Sequence, residues 1–235
     1  MDRPTQLRTA ATTSLLEIFR TGIPKRFNKE ATILGSDVEP DGVYLIEQGH
    51  VKAYLIRDTG EEAVHAILGP GNIFPIIWAF KGARRGLFYE AVDSVLLWML
   101  PVAQFRRITN SSLDTAQLLT SQLIEQLDMY IHRLNNLGYK RARDRIIYRL
   151  LVLALRFGVK RADGVLINVK LTQQDIAESI NVARESVARE LERLKAQHIL
   201  SYDKRLIVIH DLEQLGLELS DSASVTLSTI KETLR

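Results

Sequence analysis

The stretch Leu171–Leu200 contains three side chains with a defined hydrogen-bonding chemistry, Arg184, Glu185 and Arg189. Its sequence is LTQQDIAESINVARESVARELERLKAQHIL. Arginine can donate two parallel hydrogen bonds to the edge of a guanine, and glutamate can accept one from the amino group of a cytosine. A helix inserted into the major groove contacts base edges with its N-terminal residues. The pattern therefore predicts a helix that reads DNA; the alternative is a solvated charged face on an ordinary helical hairpin.

Two helices joined by a tight turn are needed to hold these side chains. Thr172 can cap the first helix, and Asn181 tolerates the left-handed backbone of a sharp turn. The apolar face of the first helix is formed, at helical spacing, by Ile176, Ala177 and Ile180. We predict the second helix from about Ala183 to Gln197, with its buried stripe at Val187, Leu191 and Leu194.

A β-hairpin is predicted directly after the second helix. Its strands are Ile199–Leu200 and Leu206–Ile209, joined by the turn Tyr202-Asp203-Lys204-Arg205. Such a hairpin is a wing, and Lys204 and Arg205 are then expected near phosphates. Upstream, Arg141–Phe157 is expected to form a helix that supports the unit, and Leu166–Val169 to add a third strand.

The composition is that of a globular protein, with 46% hydrophobic and 25% charged residues in 235. No run of about 18 apolar residues is present and the N-terminus has no long apolar core, so we expect no membrane span, no signal peptide and a cytoplasmic location. The absence of cysteine excludes disulfides, thiolate zinc sites and cysteine-ligated iron–sulfur clusters.

Positive charge is concentrated near the predicted DNA-reading helix. Residues 138–210 carry 15 lysines and arginines against 8 aspartates and glutamates, a net charge of +7, although the whole chain has only +3. Residues 1–137 carry 14 against 15. A basic segment that coincides with the motif is the electrostatic footprint of a nucleic-acid-binding unit.

Residues 25–107 are predicted to form an all-β module, because short apolar runs recur between turn residues. The runs are Ala31–Leu34, Val43–Glu47, Val51–Ile56, Val64–Leu68, Phe88–Val92 and Val95–Leu100. Many short strands at this spacing indicate a barrel or jelly roll. The expected fold class is α+β.

A long helix is predicted from about Leu113 to Leu137. Its residues at spacings that alternate between three and four positions form an apolar seam. The seam consists of Leu113, Ala116, Thr120, Leu123, Leu127, Tyr130, Leu134 and Leu137. A repeat of this period is typical of a coiled coil and therefore predicts a homodimer; the alternative is a helix packed on its own domain. We expect four parts: a β-roll with a short leading helix (1–110), the dimer helix and hinge (111–138), the winged helix-turn-helix (139–212) and a tail (213–235).

This arrangement resembles the cyclic-AMP receptor protein/fumarate-nitrate regulator (Crp/Fnr) family of bacterial transcription factors. The segment Arg184-Glu185-Ser186-Val187-Ala188-Arg189 is similar to the family's Arg-Glu-Thr-Val-x-Arg. The resemblance implies a cyclic-nucleotide-binding-like β-roll, a palindromic TGTGA-like site, RNA polymerase as a further partner, and DNA contacts by Arg184, Glu185, Ser186 and Arg189. It implies contacts of Thr172 and Gln173 at or near the DNA backbone.

The sensor half departs from the cyclic-nucleotide pattern. Where that pattern has Gly-Glu-Leu, this chain has Phe74-Pro75-Ile76-Ile77. Where the pattern has an Arg-Ser pair, this chain has Arg85-Gly86. Pro75 lacks an N–H and Ile76 cannot accept from a ribose hydroxyl, so we do not expect cyclic AMP to bind. The candidate effector pocket comprises Phe74, Ile76, Ile77, Arg84, Arg85, Tyr130 and Ile131. Arg84 and Arg85 either attract another anion or are simply exposed.

A second branch, the 2-oxoglutarate-sensing nitrogen regulators, is similar at Phe88–Val92 and at residues 156–164. Its ligand-binding arginine and glutamate fall on Gln126 and Ile131, so the resemblance does not support that ligand. Haem on His50, His65 or His132 is not expected, because lone histidines are more often structural. Two alternatives stay open: a sensor of an unidentified small anion, and a ligand-free β-roll interaction module tethered to DNA.

An enzyme is not expected. The sequence contains no Walker loop, GxSxG, HExxH or GxGxxG motif. The adjacent carboxylates Glu61 and Glu62 are expected to be solvated in a hairpin turn.

Overall fold

The computed structural model describes residues 15–83 and 86–219. The chain divides into two compact units, residues 1–129 and 130–235. The division falls within the long helix, which continues unbroken from Leu113 to Gly138. Each unit has its own core and is described by itself.

The first unit is an antiparallel β-sandwich. Its strands are β1 (Ile23–Phe27), β2 (Thr32–Leu34), β3 (Val43–Gln48), β4 (Val51–Ile56), β5 (Glu62–Leu68), β6 (Ile73–Phe74), β7 (Phe88–Ala91) and β8 (Val95–Leu100). They form two four-stranded sheets, in the orders β1-β8-β3-β6 and β2-β7-β4-β5. Helix α1 (Ile76–Lys81) interrupts the strands, and α2 (Val102–Ser111) and the long helix α3 (Leu113–Gly138) follow them.

Strand β3 is buried on both faces, which explains its nearly continuous apolar sequence. Tyr44 and Ile46 point into the core between the two sheets. Val43 and Leu45 point to a second core, where the helical residues 15–19, α1 and α2 cover the outer face of the sheet. Because side chains alternate along a strand, one strand serves both cores.

The second unit is a winged helical domain. It contains α4 (Ala142–Phe157), β9 (Gly158–Arg161), β10 (Gly164–Ile167), α5 (Gln173–Ile180), α6 (Arg184–Ala196), β11 (Leu200–Asp203), β12 (Leu206–Ile209) and α7 (Leu212–Leu217). The strands form one antiparallel sheet in the order β11-β12-β10-β9. Helix α4 is buried over most of its length.

The structure confirms the predicted long helix, the helix-turn-helix and the central strands of the sandwich, and it corrects several boundaries. The third wing strand is Gly164–Ile167 and not Leu166–Val169, and it also pairs with an unpredicted strand, β9. The first wing strand runs over Leu200–Asp203, further than predicted. Strand β1 and helices α1 and α2 were not predicted, because their short apolar runs have no clear period.

The expectation of two solvated carboxylates in a turn holds for Glu61, which is exposed, but not for Glu62, which lies in a strand and is paired. Glu62 begins β5, and its carboxylate lies 2.6 Å from the Nζ of Lys52. Lys52 is only 7% exposed and also lies 3.4 Å from Glu90 on β7. The strand pairing brings these three charges together, which the local sequence could not show.

Among the described residues, no helix combines the length and the apolar character that crossing a lipid bilayer requires.

Candidate nucleic-acid interface

Helix α5 begins with the predicted cap at Thr172. The backbone there is extended, and the Oγ1 of Thr172 accepts a hydrogen bond of 3.0 Å from the backbone N–H of Asp175. The Asp175 carboxylate accepts in turn from the backbone N–H of Thr172, at 2.8 Å. This capping box satisfies donors that the first turn of a helix leaves open. The Thr172 side chain thus has a structural role independent of DNA.

The turn between α5 and α6 depends on Asn181, as the sequence predicts. Asn181 has φ 55° and ψ 55°, in the left-handed region. The N–H of the next residue, Val182, donates to the carbonyl of Ala177 at 3.1 Å. Only three residues, 181–183, separate the two helices. The turn therefore starts α6 at Arg184, so that the predicted DNA-reading residues occupy its first two turns.

Helix α6 has two chemically different faces. The predicted stripe of Val187, Leu191 and Leu194 is at most 1% exposed. Arg184, Glu185 and Arg189 are exposed, and Ser186 is partly buried. The side chains of Arg184 and Glu185 are 58% and 70% exposed and their charged atoms lie 3.8 Å apart, a separation that contributes little to stability. The helix thus presents two guanidinium groups and a carboxylate to solvent at its N-terminal end.

The wing carries two cations at its tip. Lys204 and Arg205 form the whole turn between β11 and β12, and both have positive φ, 48° and 71°. Such a two-residue turn usually contains asparagine or glycine, because other residues are strained in this conformation. Both side chains are exposed. Strained, exposed cations at a hairpin tip are suited to contact with phosphates.

The wing is fixed to its surroundings by an ion pair. Arg161 on β9 lies 2.6 Å from the carboxylate of Asp203 and also pairs with Asp163. The hydrogen bond from Arg161 lowers the pKa of Asp203, whose carboxyl therefore stays charged at neutral pH. These ion pairs link the wing hairpin to β9.

A buried ionic cluster, which the sequence analysis missed, fixes the orientation of α6. Glu190 is 7% exposed, and its carboxylate accepts hydrogen bonds of 2.6 to 3.1 Å from Arg193. The Nε of Arg143, on α4, lies 3.4 Å from the same carboxylate. Glu218, just after α7, pairs with both arginines. The hydrogen bond to Glu190 raises the pKa of Arg193, which therefore keeps its positive charge. The cluster links α4, α6 and the end of α7.

Three members of the predicted effector pocket, Phe74, Ile76 and Ile77, lie in the first unit and do not share one environment there. Phe74 is 2% exposed and stacks between Tyr44 and Tyr89, with ring centroids at 5.3 and 4.6 Å. Ile76 packs in the other core, on the opposite side of the sheet, and Ile77 is 47% exposed. Aromatic side chains therefore occupy the interior that Phe74 was expected to line.

The predicted pocket has four further members. Tyr130 and Ile131 belong to the second unit, where they are 39% and 47% exposed. Arg84 and Arg85 lie outside the described residues. The pocket as a whole therefore stays a prediction.

Two of the histidines considered for haem have hydrogen-bonding partners within their own units. The Nδ1 of His50 lies 2.8 Å from Asp93, and the Nδ1 of His132 lies 2.7 Å from the Tyr148 hydroxyl. The described residues contain no cluster of three His, Asp or Glu side chains that could hold a metal ion.

The predicted seam of α3 is solvent-exposed in the single chain. Its large members are Leu113 (75% exposed), Leu123 (40%), Leu127 (59%), Tyr130 (39%), Leu134 (68%) and Leu137 (41%). Ala116 is partly buried and Thr120 is exposed. A different face of the helix, with Leu119 and Met129, packs on the β-sandwich. The helix thus packs on its own domain through that face, as the alternative expects, and leaves the predicted seam exposed.

Comparison with known proteins agrees with this architecture. Residues 24–112 match the model of the cyclic nucleotide-binding domain, and residues 144–217 match that of the Crp-like helix-turn-helix domain. The global nitrogen regulator of a Synechocystis strain is 28% identical over 80% of this chain and 85% of its own length. The cAMP-activated global transcriptional regulator CRP of Pasteurella multocida is 24% identical over 79% and 88%.

The chain belongs to the Crp/Fnr family. Solved structures of the family have the same fold: FixK2 from Bradyrhizobium japonicum superposes with a TM-score of 0.72, over 84% of this chain and 97% of that one, at 23% identity. A CooA mutant from Carboxydothermus hydrogenoformans has a TM-score of 0.70, over 85% and 88%, at 24% identity. The chain is accordingly a DNA-binding transcription regulator of this family and not an enzyme.

Replacement of the buried carboxylate in the Glu190→Gln variant is expected to destabilise the second unit by about 1–3 kcal/mol, because Arg143 and Arg193 lose a charged acceptor. Denaturant unfolding of the full chain measures this change. The control is Glu192→Gln on the same helix, whose carboxylate is 65% exposed and lies 3.8 Å from Lys195. Equal stability of the two variants would contradict a structural role for the cluster.

Proposed function

We propose that the chain acts as a homodimer that recognises a two-fold symmetric DNA site with TGTGA-like half-sites and regulates RNA polymerase there. The observation that carries the proposal is the exposed set Arg184, Glu185 and Arg189 on the first two turns of α6. The opposite face of the same helix is locked in the core. A recognition helix held in this way can place the three side chains against base edges without further folding.

Each side chain has a distinct role in the proposed complex. Arg184 and Arg189 donate paired hydrogen bonds to guanines, and Glu185 accepts from a cytosine amino group. Lys204 and Arg205 at the wing tip neutralise backbone phosphates, which adds affinity but no sequence information. The family resemblance supports contacts of Thr172 and Gln173, at the capped start of α5, at or near the DNA backbone.

The homodimer is supported by the exposed seam of α3. Six large apolar side chains on one stripe of a 26-residue helix are each at least 39% exposed. A contiguous apolar stripe of this kind marks a surface for association, and its period fits a second copy of the same helix. A two-fold dimer presents two recognition helices, and two half-sites about one helical turn apart then bind together.

The effector is proposed not to be cyclic AMP. Pro75 and Ile76 provide neither the N–H nor the acceptor that a nucleotide needs, and Phe74 already fills part of the sandwich interior. The stacking of Phe74 between two tyrosines favours a second candidate, in which the β-sandwich is a ligand-free interaction module. A sensor of another small anion remains the alternative for which Arg84 and Arg85 are the candidates.

Base reading is tested on the DNA site that the wild-type chain selects from random sequences. Arg184→Ala and Arg189→Ala should each weaken binding to that site by about 1–3 kcal/mol and relax the preference at one base position. Fluorescence anisotropy on the selected site and on random DNA measures the loss. Lys195→Ala, at the far end of α6, is the control. Equal losses on both DNAs would contradict the assignment.

The dimer is tested by placing charges on the seam. In the double variant Leu123→Glu, Leu127→Glu, like charges would be buried against each other, so sedimentation should show monomers with little affinity for the selected site. The control adds two charges to exposed positions off the seam, Gln117→Glu and Ser121→Glu. A dimer that persists in the seam variant would show that association uses another surface.

We expect cyclic AMP to bind to this chain at least about 10²–10⁴ times more weakly than it would bind to a site that offers all of its hydrogen-bonding partners. Two or three polar groups of the ligand would be left unpaired, at about 1–3 kcal/mol each. Isothermal titration calorimetry on the full chain measures the affinity. Micromolar binding that also tightens the binding of the selected DNA would contradict the proposed pocket.

A further inference from the structure

A short connection of three residues, 139–141, joins the end of α3 to α4. A methyl group added at Gly138, just before it, would meet no described atom of another element within 4 Å, so packing at this residue does not restrain the connection. The seam residues Tyr130, Leu134 and Leu137 belong to the same unit as α6. Contacts across the connection must therefore set how this end of the seam is oriented relative to α6.

Arg145, in the first turn of α4, contacts three separate segments of the unit. The Nδ2 of Asn136, in the last turn of α3, donates to the Arg145 carbonyl at 2.8 Å. The Nε of Arg145 donates to the carbonyl of Tyr139, in the connection, at 2.8 Å. Its Nη1 donates to the carbonyl of Asn181, in the turn between α5 and α6, over a longer distance of 3.5 Å. One residue thus bridges the end of α3, the connection and the turn from which α6 starts.

The chemistry of the guanidinium suits this bridge, because its donors lie in one rigid plane. The hydrogen bond from the Arg145 Nε to Tyr139 fixes that plane and directs Nη1 toward the Asn181 carbonyl. Asn181 has the left-handed backbone that sets the direction in which α6 begins. On the other side of the bridge Asn136 is only 3% exposed, so water competes little for its hydrogen bond to Arg145.

The Tyr139 carbonyl is itself held in place by aromatic contacts. The ring of Tyr139 lies 5.3 Å, between centroids, from that of Tyr148 on α4, and Tyr148 is completely buried. The Tyr148 hydroxyl lies 2.7 Å from the Nδ1 of His132 on α3. Aromatic pairs at such separations are stabilising. The connection is therefore a fixed joint within the second unit and not a free linker.

We propose that Arg145 is a positioning residue that sets the separation of the two half-sites the chain accepts. This inference rests on the homodimer proposed above. In a dimer joined along the seam, each α6 follows the end of its own α3 through the bridge at Arg145. Two half-sites bind together only if their separation matches that of the two recognition helices. Arg145 contacts no base in this arrangement and acts through the turn at Asn181.

The test is a series of DNA duplexes that carry two copies of the selected half-site at separations that differ in steps of one base pair. Each step moves a half-site by about 3.4 Å and rotates it by about 35° around the duplex. Fluorescence anisotropy measures binding of the full chain. The wild type should bind its preferred separation roughly tenfold or more tightly than separations two base pairs away, because a rigid dimer then loses contacts in one half-site.

The variant Arg145→Lys should reduce this preference by about 2- to 10-fold. Its single ammonium cannot reproduce two donors fixed in one plane, but it keeps the charge, so binding to random DNA and its salt dependence should remain those of the wild type. Arg141→Lys, at the exposed residue before α4, is the matched control and should keep the full preference. A loss of stability alone lowers binding to every duplex by the same factor and leaves the preference unchanged.

The outcomes separate this inference from the dimer on which it rests. A wild type without a preferred separation would contradict the proposed dimer and the inference with it. A preference that Arg145→Lys keeps in full would overturn the role of Arg145 and leave the dimer in place. If thermal unfolding shows that Arg145→Lys does not fold, Asn136→Leu takes its place, because it removes the donor to the Arg145 carbonyl. It should weaken the same preference, and an unchanged preference would overturn the proposal.

Discussion

The ion pair between Glu190 and Arg193 is the interaction on which the DNA-binding half depends. It lies on the buried side of α6, and through Arg143 and Glu218 it connects that helix to α4 and to the segment after α7. A recognition helix must be oriented accurately, because base edges accept hydrogen bonds only in a narrow geometry. An apolar contact alone is not directional, so the buried charges supply the orientation.

In the β-sandwich, the side chains of one strand, β3, pack into two separate cores. Because both faces of β3 are covered, the segment from β6 into α1 contributes to both cores: Phe74 belongs to one core and Ile76 to the other. The Phe74 ring is stacked between those of Tyr44 and Tyr89 in the core between the two sheets. The domain that matches the cyclic nucleotide-binding model therefore has aromatic side chains packed in the core of its sandwich.

The cationic side chains of the second unit include a group that is paired with carboxylates and a group that is exposed to solvent. Arg143, Arg161 and Arg193 are neutralised by carboxylates within the unit. Arg184, Arg189 and the wing tip remain exposed, where DNA can reach them.

The sequence by itself determined the elements whose information is local. Helical periodicity predicted α3, α5 and α6, the Thr172 cap and the Asn181 turn followed from the chemistry of single residues, and the exposed face of α6 followed from its buried stripe. Only the tertiary structure decided which charges are paired and which side chains share a core. Glu190 meets Arg143, and Phe74 is separated from Ile76, through contacts between elements distant in sequence. Such contacts depend on how the elements pack, and no local period encodes them.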